Sequence, residues 1–271
     1  MTTQRGSYFD TEPVVLSGVR AATARLAMVS SFQWGDPDRP SRLFSSLRTN
    51  NWETLDIHHY IVFSDNPARS GTLDGDCVPV QSRGARIVEL SDLSIEIDPG
   101  FTGRRVTIAK IDGAIAAVYQ GHLGHMWRRR RNARTRTYDR LFASLSYFLR
   151  SFHNDGKSWS AAVSLATAFE MILTDHYSAG ATRRLKRRLK LVLRGVRGRA
   201  AYEEAFDELY AARGDLVHAG TDATHLDLRM TRQAFVHAFC VVAGRVAALP
   251  VRASAPMQVL TGDAADHSVE T

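Results

Sequence analysis

The stretch Glu208-Leu-Tyr-Ala-Ala-Arg213-Gly-Asp-Leu-Val-His218-Ala-Gly220 decides how this chain is read. It sets an arginine and a histidine five positions apart, where a helical pattern meets glycine. A guanidinium clamps phosphodiester oxygens, and an imidazole exchanges protons near neutral pH. That pairing suits RNA cleavage without a metal. On a continuous helix, positions five apart lie about 140° apart around the axis, so their side chains diverge. Gly214 and Gly220 point to another course, because glycine ends helices and turns the chain. The expectation is a helix over roughly Ala200–Ala212, with Arg213 in its last turn and His218 folded back beside it. The alternative is that Arg213 and His218 only cap a helix end. Arg232 and His237 repeat the spacing inside an apolar pattern, and there divergence is expected.

Outward from this stretch, everything from Tyr138 to Leu249 reads as helix. Leu141, Leu145, Phe148 and Leu149 mark a first helix that stops near Asn154-Asp155-Gly156. Ser158 can cap a second, which presents Trp159, Ala162, Val163, Ala166, Phe169 and Leu173 along one wide face. A third starts near Thr182 with Leu185, Leu189, Val192 and Leu193 inward. Its other face carries Arg183, Arg184, Lys186, Arg187, Arg188, Lys190 and Arg194, either as solvated charge or as a grip on an RNA backbone. The last helix spans about Leu228–Leu249. Short connections favour an antiparallel bundle.

The first hundred or so residues have a different texture. Ala27-Met-Val, His59-Tyr-Ile-Val-Phe63 and Ala85-Arg-Ile-Val-Glu-Leu90 have the length of strands, and turn-forming residues separate them. Ile95 and Ile97 alternate with acidic residues, as on a half-buried strand. Val106, Ile108, Ile111, Ile115 and Val118 then suggest a helix despite Gly113. A basic stretch follows, with Trp127, Arg128 to Arg131, Arg134 and Arg136; it reads as a solvated linker or as an RNA-gripping segment. The fold class expected is therefore α+β. A strand-containing region of unknown role at 1–136 precedes a helical bundle at 137–250 and a disordered tail at 251–271.

Composition narrows the function. Apolar residues make up 44% of the 271, which excludes a disordered chain, and a net charge of +7 favours polyanionic partners unless it only reflects an arginine-rich proteome. Cys77 and Cys240 are the only cysteines, which leaves neither a disulfide framework nor a zinc spacing. The opening residues lack a signal peptide's apolar run, and Ala234–Leu249 is too short to span a bilayer. The expected location is the cytoplasm, with no membrane partner. His122 with His125, and His58 with His59, read as surface or packed histidines, so no metal and no cofactor are expected. Phosphate loops, dinucleotide fingerprints and serine nucleophile elbows are lacking too.

Tyr210 with Arg213, then Val217-His218-Ala219-Gly220, resemble the HEPN superfamily, specifically Apea-like HEPN domains. The helix around Ala166-Thr-Ala-Phe-Glu170-Met-Ile-Leu173 is similar to that family's alanine-glutamate-leucine helix. The resemblance covers Tyr138 to Leu249; the N-terminal half matches no family in this reading. It implies a bundle in which an Arg-x4–6-His motif forms a metal-independent ribonuclease site where two domains meet, in a toxin or phage-defence setting. Arg213 and His218 fall on that motif. Many members carry a polar residue directly after the arginine, whereas here Gly214 intervenes before Asp215.

The chemistry expected is attack by a ribose 2′-OH on the adjacent phosphate. His218 would transfer protons and Arg213 would clamp the phosphate. One histidine cannot comfortably serve as both acid and base, so a homodimer is expected. Tyr210, Asp215 and Glu170 are supporting candidates, with Glu170 either an acidic partner to the site or a structural hydrogen-bond partner. Arg183, Arg184, Arg187, Arg188 and Lys190 are candidate RNA contacts. The other function class is a non-catalytic HEPN module that binds nucleic acid or a nucleotide, or dimerises. A third is a scaffold whose N-terminal half senses a ligand.

Overall fold

The computed structural model describes residues 13–33, 45–48, 58–62, 78–82, 93–97, 105–128, 130–152, 159–176, 180–219, 226 and 228–263; at 13, 15, 45–48, 58–62, 78–82, 94, 96–97 and 215–219 it describes backbone alone. Eight α-helices dominate these residues: α1 (Pro13–Ser30), α2 (Arg105–Leu123), α3 (Ala133–Arg150), α4 (Trp159–Leu173), α5 (Ala181–Val192), α6 (Arg199–Ala219), α7 (Leu228–Arg245) and α8 (Pro256–Thr261). A 3-10 turn at Val246–Ala248 extends α7.

Helical spacing of large apolar side chains explains how they assemble. Phe148 of α3 stacks on Phe235 of α7 at 4.7 Å. Phe235 meets Phe169 of α4 edge-on at 5.4 Å, and Phe169 meets Phe206 of α6 edge-on at 4.9 Å. All four rings are buried, and each contributes about 1.5–3 kcal/mol by leaving water. The same apolar cluster continues through Ala24 and Met28 of α1 and Ile111 and Val118 of α2 to Met257 and Leu260 of α8. The expected division at 136/137 marks no break in this core.

The α+β expectation is corrected: the architecture is all-α. Strand pairing among the described residues is limited to four short segments, β1 (Ser45–Arg48), β2 (His58–Val62), β3 (Val78–Ser82) and β4 (Ser94–Ile97). They form two separate antiparallel ladders, β1 with β4 and β2 with β3. A two-stranded ladder is marginal by itself, and neither one grows into a layer that a core could be built on. Leu93 and Ile95 instead sink into the helical core. Ala27-Met-Val, expected as a strand, lies inside α1, while the run Ala85–Leu90 lies outside the described residues.

The expected disordered tail is corrected as well over 251–263. The Val251 carbonyl accepts from Ala133 N at 3.1 Å, and Arg134 donates to the Leu249 carbonyl at 2.8 and 3.2 Å, tying this segment to the start of α3. Asp175 caps α8 by accepting from Met257 N and Gln258 N at 2.6 and 3.1 Å. Gly262, at φ 72°, turns the chain in the left-handed region after α8. That turn places Asp263 against α5, where its buried carboxylate accepts from Arg188 and Arg187, each at 2.9 Å.

Candidate functional site

Helices α4 and α6 pack together, and their contact brings three of the expected residues into one cluster. Tyr210 and Arg213 stand three apart on α6, so they share a face. The Tyr210 hydroxyl donates to the Ala166 carbonyl of α4 at 3.2 Å, and its ring lies 4.5 Å from that of Phe206. This anchoring fixes the rotation of α6. Arg213 then lies with its guanidinium carbon 5.8 Å from the Tyr210 ring centre, at the outer limit of a cation–π contact. Its Nη1 meets Glu170 Oε1 of α4 at 3.0 Å, with the two side chains 30% and 23% exposed. The pair is thus mostly sheltered yet open to a ligand on one side.

Burial governs the electrostatics. It pushes the Glu170 carboxyl above the ordinary glutamate range, and Arg213 only partly offsets this. Burial also holds the Tyr210 phenol well above its usual value; the charge of Glu170 adds to the effect and Arg213 opposes it. Tyr210 therefore stays a protonated donor at any working pH. Arg213 Nε is buried and finds no acceptor among the described residues. Nε is closed to solvent, so an oxyanion would have to meet the part of the Arg213 side chain that stays exposed beside Glu170.

The helix carrying this site is longer than expected. Instead of ending near Ala212, α6 continues through Gly214 to Ala219. Gly214 adopts no left-handed conformation, and a Cβ built there would meet nothing within 4 Å. One glycine costs a helix only about 1 kcal/mol relative to alanine. Buried Tyr202, Phe206, Leu209 and Tyr210 on the same helix outweigh that cost. The consequence is geometric: positions 213 and 218 sit about 140° apart around α6 and about 7.5 Å apart along it. The expected fold-back of His218 beside Arg213 is not the course of the backbone. Asp215 lies on the same helical segment.

The basic face of α5 is largely occupied. Arg188 is buried, donating to the Leu173 carbonyl at 2.8 Å and pairing with Asp175 at 3.0 Å as well as with Asp263. It is a structural residue rather than a phosphate contact, a correction to its expected role. Arg187 shares Asp263, and Lys190 lies 3.8 Å from Glu203 of α6. Lys186 pairs with Asp207 of α6 at 2.9 Å. Arg183 is exposed and Arg184 half-buried at the start of the helix. In the basic stretch ahead of α3, Trp127, Arg128, Arg130 and Arg136 are exposed, while Arg131 pairs with Asp139 at 2.7 Å.

Sequence reasoning missed Arg140, whose guanidinium closes the end of α4 by donating to the Glu170 carbonyl at 3.1 Å and the Asp175 carbonyl at 3.2 Å. Its position on the first-helix pattern carried no signal of that role. His122 stacks on Phe142 at 4.2 Å and lies 2.8 Å from Asp139, a packed histidine as expected. His58 and His59 fall on β2. No helix among the described residues is long and apolar enough to cross a membrane. Comparison with known proteins returns no match: no family model, no curated protein and no solved structure aligns with this chain.

Proposed function

We propose that this chain is a metal-independent HEPN-type endoribonuclease that acts as a homodimer in the cytoplasm, in a toxin or phage-defence setting. Arg213 clamps the scissile phosphate, and His218 moves protons for attack by the ribose 2′-OH and departure of the 5′-oxygen. The observation that carries this reading is the setting of Arg213. It is partly exposed at the α4–α6 contact and oriented by Tyr210 and Glu170. Because positions 213 and 218 diverge on one helix, the pair works only if Arg213 of one copy meets His218 of another. Glu170 serves as the counter-charge that holds the guanidinium in place until phosphate arrives.

Purified protein incubated with mixed cellular RNA in EDTA tests the reading. Wild type is expected to leave 2′,3′-cyclic phosphate ends, and Arg213→Ala and His218→Ala are each expected to be inactive. An oligonucleotide with a 2′-deoxy residue at the cleavage position should resist; cutting there sinks the mechanism. A mixture of the two single variants provides a sharper check. It should regain part of the activity if one copy supplies the arginine and the other the histidine.

The unbroken α6 favours a second reading, a non-catalytic module that binds nucleic acid or a nucleotide through Arg213 alone. Under it, RNA binds and stays intact, and Arg213→Ala weakens binding.

A further inference from the structure

Away from the α4–α6 cluster, the start of α3 and the segment leading into α8 enclose a cleft of about 550 Å³. Its size is that of a small-molecule site, within the usual range of about 300–1,000 Å³. Four guanidinium residues line it, Arg131, Arg136, Arg140 and Arg252, together with His176. Among the described lining residues the only carboxylate is Asp175, and it is already engaged. Both of its oxygens accept from backbone amides of α8, and Arg188, outside the cleft, pairs with it at 3.0 Å. Asp175 therefore offsets part of the lining charge, chiefly that of Arg140, and leaves Arg136 and Arg252 without a carboxylate partner among the described residues. Arg131 spends part of its charge on Asp139. Arg136 and Arg252 are exposed and make no ion pair among the described residues.

Like charges held around one concavity repel, and a chain tolerates this most readily where an anion collects there. The opening turn of α3 adds the positive end of its dipole, although Asn132 already satisfies the Thr135 amide at 2.9 Å. Several guanidiniums around one cavity exceed what a single phosphate neutralises. Val251 and Met257 supply an apolar wall for the remainder of a ligand. We infer that this cleft binds a small organic polyphosphate through Arg131, Arg136 and Arg252. Arg140 lines the cleft as a structural residue, its guanidinium donating to the Glu170 and Asp175 carbonyls. The inference does not rest on the ribonuclease reading.

Calorimetric titration of the full chain tests it, using ATP, inorganic tripolyphosphate and adenosine at low salt. ATP and tripolyphosphate are expected to bind and adenosine to give no heat. The double variant Arg136→Ala/Arg252→Ala removes only exposed side chains; it should weaken both polyphosphates at least about tenfold with an unchanged unfolding midpoint. Arg136 and Arg252 lie outside the α4–α6 cluster, so a loss in their double variant separates this cleft from that one. An RNA oligomer with a 5′-triphosphate identifies the source: tighter binding than ATP assigns the cleft to an RNA end, weaker binding to a free nucleotide. No heat with either polyphosphate at millimolar concentration overturns the inference. So does a double variant that binds like wild type.

Discussion

Two arginines in this chain head the same spacing to a histidine, and their surroundings could hardly differ more. Arg232 on α7 donates Nε to Ser151 Oγ at 3.2 Å and Nη2 to the Ser151 carbonyl, and its guanidinium carbon lies 4.0 Å from the Phe152 ring centre. It closes the end of α3. His237, farther along the same helix, packs edge-on to Phe32 at 5.2 Å and 5.4 Å from Tyr202. Both members of that pair are used up in holding helices together. Arg213 holds one carboxylate, leans on one ring and keeps a donor unsatisfied among the described residues. The lesson is that spacing carries no chemistry. What a guanidinium can do is set by how many of its donors the fold has already spent.

The largest effect that can break this contrast is on catalysis. Arg213→Ala is expected to lower RNA cleavage by about a hundredfold or more, while Arg232→Ala leaves the rate per folded molecule unchanged. Equal losses in the two variants would erase the distinction. Next in size is stability: Arg232→Ala removes the donors that close α3 and should cost about 1–3 kcal/mol in urea unfolding. A cost below the error of the measurement would mean that Arg232 is as unspent as Arg213.

A third test reads Glu170 through pH. Its carboxyl is held above the ordinary value of 4.5, so the folded state keeps a proton that the unfolded chain has released. The resulting stability is complete below the ordinary value and is lost as pH rises through the folded one. Glu170→Gln, which cannot titrate, should remove that slope, so that wild type loses ground to the variant as pH rises from 4.5 upward. Parallel profiles would show that Arg213 cancels the effect of burial, and a wild type that gains on the variant with rising pH would show that Arg213 outweighs it. The smallest effect belongs to Gly214→Ala. With open space around the added methyl, α6 should gain about 0.5–1 kcal/mol. A loss instead would mean that the helix turns at Gly214 after all.

How far the sequence was legible follows from the range of the forces involved. Helices α2 to α5 and α7 announced themselves by apolar periodicity, because burying one face is a local pattern. Helix α1 did not: Ala27-Met-Val taken alone is a short apolar run, and only the eighteen residues of Pro13–Ser30 together make it helical. The α+β expectation failed there and in overrating short strand-like runs that form only isolated ladders. Gly214 was weighed as a stop signal, but tertiary anchoring by Phe206 and Tyr210 outweighed local propensity. Within the candidate site, Tyr210, Glu170 and Arg213 were singled out and do meet. What no local pattern could show is that Arg188, one cation in a run of seven between Arg183 and Arg194, is buried against a carboxylate 75 positions away. Ion pairs across that distance leave no periodicity behind.

That same pairing sets an order on the chain's birth. Synthesis proceeds from the N-terminus, and domains begin to fold as they emerge. Arg188 leaves the ribosome with Asp175 already made but Asp263 still to come. Until then α5 can dock with Arg188 paired to Asp175, but its Nε and the Arg187 guanidinium lack the carboxylate that meets them in the folded chain. The last contact of α5 therefore waits for the last described residue. A chain cut before Asp263 is expected to hold α5 less tightly, which faster limited proteolysis within that helix would read out.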